Sequence, residues 1–371
     1  MRLSLSIRPS TIRHGCTLLL PLMLSGCFLA KDKITDIPNA ENILITSDQK
    51  LIVSGGKNIY QIEKDGPGYQ AKELFDGLNK FSFWNVPKYG CQFTGIAQHQ
   101  NYLFATCVSQ HFVVFKNNHL LYADLNDAEL TFRMITDFDN NHEVYDQLFI
   151  PNGMAIAPDG ALLVADENFF AESGIARVEL DYSGSKPEIV SVQPNWVSPL
   201  DFDIRSPNGI RVQDNFFYFS DENKVKRGRF DDAGQVQDVI TMWTSKLAYP
   251  LSLLDDIMPY CGGVAMTDFL TGQLHYVASY TDQNNVEHFP TLYSTLPFSY
   301  ANPSSLAYGA IPQLGINTAQ ILVTEKGNLL ESTSNYGNKL VVSPLSLDLD
   351  NPNIDMCEVL NDQAREAIEG S

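Results

Sequence analysis

Two tripeptides, Pro151-Asn152-Gly153 and Pro207-Asn208-Gly209, are near copies of one another 56 residues apart. Each sets an amide side chain two residues ahead of an apolar residue, Met154 in the first and Ile210 in the second. Three further runs carry a small oxygen-bearing residue in the same place: Glu41-Asn42-Ile43, Thr94-Gly95-Ile96 and Ser304-Ser305-Leu306. A set of carboxylate, amide and hydroxyl oxygens without His or Cys suits a hard cation, Ca²⁺ before Mg²⁺. That chemistry needs a fold in which residues 41, 94, 152, 208 and 304 meet.

A sixfold pattern of strands supplies one. Short apolar runs ending in a small residue recur as Leu51–Ser54, Leu103–Thr106, Leu162–Ala165, Phe217–Ser220, His275–Ala278 and Ile321–Thr324. The small residues are spaced 52, 59, 55, 58 and 46 apart. A period near fifty with strand-like units and Gly/Asp/Asn turns predicts an all-β, six-bladed β-propeller of four-stranded antiparallel blades. Its innermost strands run beside the axis, so equivalent residues converge at one end of the channel. The expected divisions are a signal over 1–26, a tether over 27–39, the propeller over 40–345 and a tail over 346–371. Within the tail, Cys357 to Ile368 could form a short helix.

The runs Pro151-Asn152-Gly153-Met154-Ala155-Ile156-Ala157-Pro158-Asp159-Gly160 and Ser206-Pro207-Asn208-Gly209-Ile210 resemble motifs of the senescence-marker-protein/gluconolactonase family. Paraoxonase-type arylesterases are similar, and all are six-bladed propellers with calcium on the axis. The resemblance implies that Glu41, Asn152 and Asn208 are metal ligands. It also calls for an Asp opening the fifth blade. The inner strand there reads as Val264–Thr267, with Cys261-Gly262-Gly263 and no carboxylate just upstream. Either the preceding loop folds back so that Asp255, of the pair Asp255-Asp256, supplies the oxygen, or that ligand is lost. Thr94 stands where paraoxonase-type enzymes place a catalytic His, so that mechanism is not expected.

Residues 1–26 contain Arg2, Arg8 and Arg13, no acid, and an apolar stretch from Leu18 to Leu24 broken by Pro21. This reads as an export signal too short to span a bilayer. It ends in Leu24-Ser25-Gly26-Cys27, a lipobox-like sequence in which Cys27 would carry the lipid (diacylglycerol, with palmitate the label to follow). Phe28 after it, rather than Asp, resembles an outer-membrane address. The expected location is thus the bacterial cell envelope, with membrane contact through the lipid alone. Cys16 leaves with the signal. Cys91, Cys107, Cys261 and Cys357 form an even set in an oxidising compartment, so two disulfides are expected. Cys91 and Cys107 flank the hairpin Phe93–Ala97/Tyr102–Thr106, which makes them one pair and leaves Cys261 with Cys357. The net charge of −19 disfavours nucleic acid as a partner.

Other signals carry less. Gly66-Pro67-Gly68 lacks the strand and helix that a dinucleotide fingerprint needs. Asp137, Asp139 and Asn141 open like an EF-hand loop, but His142 and Leu148 break the pattern. No G-x-S-x-G or H-E-x-x-H occurs. Asp166-Glu167 and Asp221-Glu222 repeat after two strands and read as structural hydrogen-bonding pairs rather than as an acid and a base. His275 reads as part of the blade packing, and Trp84 and Tyr89 could line the channel mouth. The resemblance implies a calcium-dependent hydrolase of the lactonase or arylesterase type. Its axial metal would polarise the carbonyl of a small lactone or ester, and Asp255 would activate water. The absent His and the gap in the fifth blade point to an alternative: a non-catalytic propeller binding a protein or carbohydrate partner, with calcium structural or absent.

Overall fold

The second strand of each blade is apolar on both faces because a neighbouring blade covers each face. In Leu162–Asp166, Leu162 and Val164 pack into the cluster shared with blade two, while Leu163 and Ala165 pack into that shared with blade four. Six such apolar clusters separate six four-stranded antiparallel blades. A strand buried on both sides reads as a continuous hydrophobic run, which is why the repeat is visible in sequence. The computed structural model describes residues 31–75, 91–109, 118–135, 148–168, 171–327, 336–343 and 356–370.

The inner strands are Ala40–Ile45, Cys91–His99, Pro151–Ile156, Pro207–Gln213, Leu254–Tyr260 and Pro303–Ile311. Each lies against the next, and the sixth lies against the first. The fifth corrects the sequence reading. Val264–Thr267 belongs to the second strand, Gly263–Asp268, and His275–Val277 to the third, Gln273–Val277. Pro259 interrupts the apolar pattern of the true inner strand, so the stronger hydrophobic signal lies in its neighbour. A turn at Cys261 and Gly262, both with positive φ, joins the two strands.

The ring closes through its last blade, which takes its outer strand from the N-terminal side. Asp32–Asp36 pairs with Lys339–Val342, so residues expected in the tether are part of the propeller. Ile34 and Ile37 bury their side chains there, and Lys31 forms an ion pair with the fully buried Glu325. At the other terminus, the helix Met356–Glu369 packs Leu360 and Ala364 between blades five and six. Cys357 in its first turn is bridged to Cys261. Cys107 is also disulfide-bonded; the Cys91 side chain lies outside the described residues. So do Cys27, Trp84, Tyr89 and the Asp137–Asn141 loop. Among the described residues no helix is long and apolar enough to cross a membrane.

The small residue of the repeat has a chemical task. Ser54 Oγ accepts from the Asn42 N–H of its own blade and donates to the Thr94 carbonyl of the next. Ser220 does the same between Gly209 N–H and the Asp255 carbonyl. Thr324 donates to the Glu41 carbonyl and so joins the last blade to the first. Each hydroxyl fixes the backbone of the residue that opens the next inner strand. Asp166 and Asp221 also proved structural. They accept from the N–H groups of Phe149 and Ile150, and of Arg205 and Ser206, which lead into the inner strands. His275 is buried in blade five, with Nδ1 2.8 Å from Ser294 Oγ.

Candidate axial site

Glu41, Thr94, Asn152, Asn208, Asp255 and Ser304 hold one equivalent position. Each follows a residue registered at or within two residues of the end of the second strand: Ala40 on Gly55, Phe93 on Cys107, Pro151 on Asp166, Pro207 on Asp221, Leu254 on Asp268 and Pro303 on Glu325. The register shifts immediately afterwards in all six pairs. Such a bulge re-aims side chains that would otherwise alternate across the sheet. Asp255 therefore stands in line with Glu41, Asn152 and Asn208, and no loop has to fold back to bring it there.

All six are buried. Thr94 and Ser304 spend their hydroxyls on the Pro151 and Ala40 carbonyls of the adjoining blades, so they fasten the ring. The other four face one another electrostatically, together with two residues that the sequence reading did not place there. One position further along from the second-strand residues just named lie Gly56, Val108, Glu167, Glu222, Phe269 and Lys326. Of these, Glu167 and Lys326, three blades apart, join the cluster. Glu167 accepts from Asn152 Nδ2 at 3.0 Å and from Asn208 Nδ2 at 3.2 Å. Lys326 forms an ion pair with Glu41. The signal was available: both sit two residues beyond the small residue of the repeat, at Ala165 and Thr324.

Charge is unevenly matched here. Three carboxylates, Glu41, Glu167 and Asp255, share a single ammonium. Burial pushes Glu167 up to about 7, with the Asn152 amide and Lys326 opposing the shift. Burial, then repulsion from Glu41, holds Asp255 well above the usual carboxylate range, with Lys326 opposing. Burial disfavours the Lys326 ammonium, but Glu41 and Asp255 more than offset this, so its pKa lies above the ordinary lysine value. Below the ring, Arg211 reaches across to Asp256 and to Asn42 Oδ1, and Ser305 also donates to Asp256. This network links blades one, four, five and six.

The donors fit a hard cation in type. Asn152 Oδ1 is buried and has no hydrogen-bond donor among the described residues, a state that costs about 1–3 kcal/mol unless a donor or cation meets it. The Asp255 carboxylate is buried beside it, with Lys326 as its nearest counter-charge. The carboxylates alone are not enough: among the described residues no three His, Cys, Asp or Glu side chains form a ready metal cluster. Amide oxygens would have to complete the shell.

No family model matches the chain, and no curated protein matches it. Solved structures do. A luciferin-regenerating enzyme is 13% identical, covering 85% of this chain and 96% of that one with a TM-score of 0.54. The Malassezia sympodialis allergen Mala s 1 is 10% identical, covering 88% and 97% with a TM-score of 0.53. The PQQ-bound aldose sugar dehydrogenase of Streptomyces coelicolor is 10% identical, covering 84% and 97% with a TM-score of 0.51. An enzyme that regenerates luciferin, an allergen and a sugar dehydrogenase share little chemistry, so the likeness shows the fold alone: this chain is a six-bladed β-propeller.

Proposed function

We propose that the axial cluster is the catalytic centre of a hydrolase for small lactones or esters that uses a bound divalent cation, Ca²⁺ before Mg²⁺. One observation carries this reading. Glu41, Asn152, Asn208 and Asp255 come from four different blades to one buried place, where the Asn152 amide oxygen has no hydrogen-bond donor among the described residues. The cation would polarise the substrate carbonyl and stabilise its oxyanion. Glu41, Asn152, Asn208 and Asp255 would hold it. Asp255 is the best-placed base, because Glu41 is ion-paired and both Glu167 oxygens accept amide hydrogens. Glu167 fixes the two asparagines, and Arg211 ties Asp256 of blade five to Asn42 of blade one. Calcium should bind the purified protein in calorimetry and raise its melting temperature, since a ligand of the native state stabilises it by mass action. A panel of lactones and aryl esters should lose turnover on chelation. If a chelator changes neither melting nor any hydrolysis, this reading fails.

A second reading has its own support. The loops at the site end expose Leu200, Leu247, Tyr249, Leu251, Leu296 and Phe298. Exposed apolar side chains on loops at one end of the blades suit a docked protein or carbohydrate. Non-catalytic binding is the reading that survives a negative hydrolysis screen.

For location, we propose anchoring on the bacterial envelope, in the outer membrane, through a lipid on Cys27. The lipobox-like Leu24-Ser25-Gly26-Cys27 supports this. Cys27→Ser should abolish labelling by radioactive palmitate in cells; equal labelling of both proteins rejects the anchor.

A further inference from the structure

The Lys326 ammonium meets Glu41 in the place where a cation was expected. Its chain position is fixed, for Lys326 N–H donates to the Asn302 carbonyl and Gly327 N–H to that of Ala301. The equivalent positions in the other blades hold Gly56, Val108, Glu167, Glu222 and Phe269, so at this position only the sixth blade carries a positive charge. Lys326 is 6% exposed and Glu41 3%. Two charges this dry interact far more strongly than in water, and either one left alone would be unstable.

We propose that Lys326 is a built-in counter-ion that competes with a divalent cation for the axial carboxylates, so that the ring holds together without metal and binds metal weakly. This rests on the cation reading of the same site. A divalent cation approaching Glu41 must either displace the ammonium or accept its repulsion nearby. Both lower affinity. In return, a metal-free site keeps one ammonium against its three carboxylates, with Glu41 directly paired.

Calcium titration by calorimetry of the full-length mature protein and of Lys326→Met tests the idea. Methionine keeps the unbranched shape and removes the charge. The variant should bind calcium at least about tenfold more tightly. Its melting temperature should fall below wild type without metal and rise more steeply with calcium. Ammonium chloride should weaken calcium binding by the variant more than sodium chloride does at equal ionic strength, because free ammonium can refill the vacated place. Calcium binding by the variant alone supports the proposal as well. Equal or weaker binding by the variant, with wild type binding calcium, overturns the proposal and leaves the cation reading intact. No calcium binding by either protein overturns both. Should Lys326→Met not fold, wild type decides. The protected Nζ–H resonance of a buried lysine should shift or vanish as calcium saturates the site, and a resonance unchanged at saturation overturns the proposal.

Discussion

Asp255→Asn should abolish hydrolysis while making the metal-free protein more stable at neutral pH. Removing a positioned general base lowers turnover by roughly 100- to 10,000-fold, and no other carboxylate of the cluster is free to substitute. Glu41 is held by Lys326, and Glu167 is tied to Asn152 and Asn208. Stability should move in the opposite direction. Burial and Glu41 raise the Asp255 pKa, so the folded protein retains a proton that the unfolded chain releases. Stability therefore falls as pH rises from the ordinary carboxylate range towards the raised value. Asparagine neither titrates nor repels Glu41, so its advantage should be small at acidic pH and grow towards neutrality. Calorimetric melting at pH 5 and pH 8 in chelator measures this, and lactone turnover measures the other half. If Asp255 acts mainly as base, calcium affinity persists in the variant while turnover is lost. If it acts mainly as a ligand, both fall together. Unchanged turnover removes Asp255 from the mechanism.

What the sequence disclosed follows from which contacts leave a local trace. The second strands are buried on both sides, so their apolar runs repeat and the blade number can be counted. The inner-strand openings could be read because an oxygen-bearing residue precedes an apolar one in blade after blade. Blade five escaped because Pro259 and the acidic pair Asp255-Asp256 interrupt that rhythm. Asp32–Asp36 escaped for another reason: its partner lies some 300 residues away at Lys339–Val342, and a five-residue strand gives no hint of so distant a pairing. Glu167 and Lys326 were visible as residues but not as neighbours. Their repeated position becomes meaningful only once the small residue before each is known to face the next blade. An expectation of charge balance then looked for a metal where the chain also supplies a lysine.

Gly153→Ala should strongly destabilise the ring. A Cβ there would lie 2.4 Å from the Asn208 carbonyl oxygen and 2.8 Å from both Gly209 Cα and Ile210 N. All three atoms are backbone of the next blade, so no flexible side chain can yield. The same close approach recurs at Gly95, against the Asn152 carbonyl, and at Gly209, against Asp255 and Asp256. Glycine after Thr94, Asn152 and Asn208 thus lets blades three, four and five bring their own opening residues close. An added methyl must push blade four outward, carrying Asn208 away from Glu167. Overpacking of this kind costs roughly 1–3 kcal/mol, and a backbone-on-backbone clash belongs at the upper end or beyond. Denaturant unfolding should show the loss, and calorimetry should show weakened calcium binding in whatever remains folded. Gly184→Ala is the control. Gly184 lies between the outer strands Ile175–Asp181 and Glu188–Val197 of blade three, and its added Cβ would come no closer than 3.5 Å to any neighbour. A Gly153→Ala midpoint as high as that of Gly184→Ala would mean that blades three and four are not held at this spacing, and the convergence of Asn152 and Asn208 would lose its physical basis.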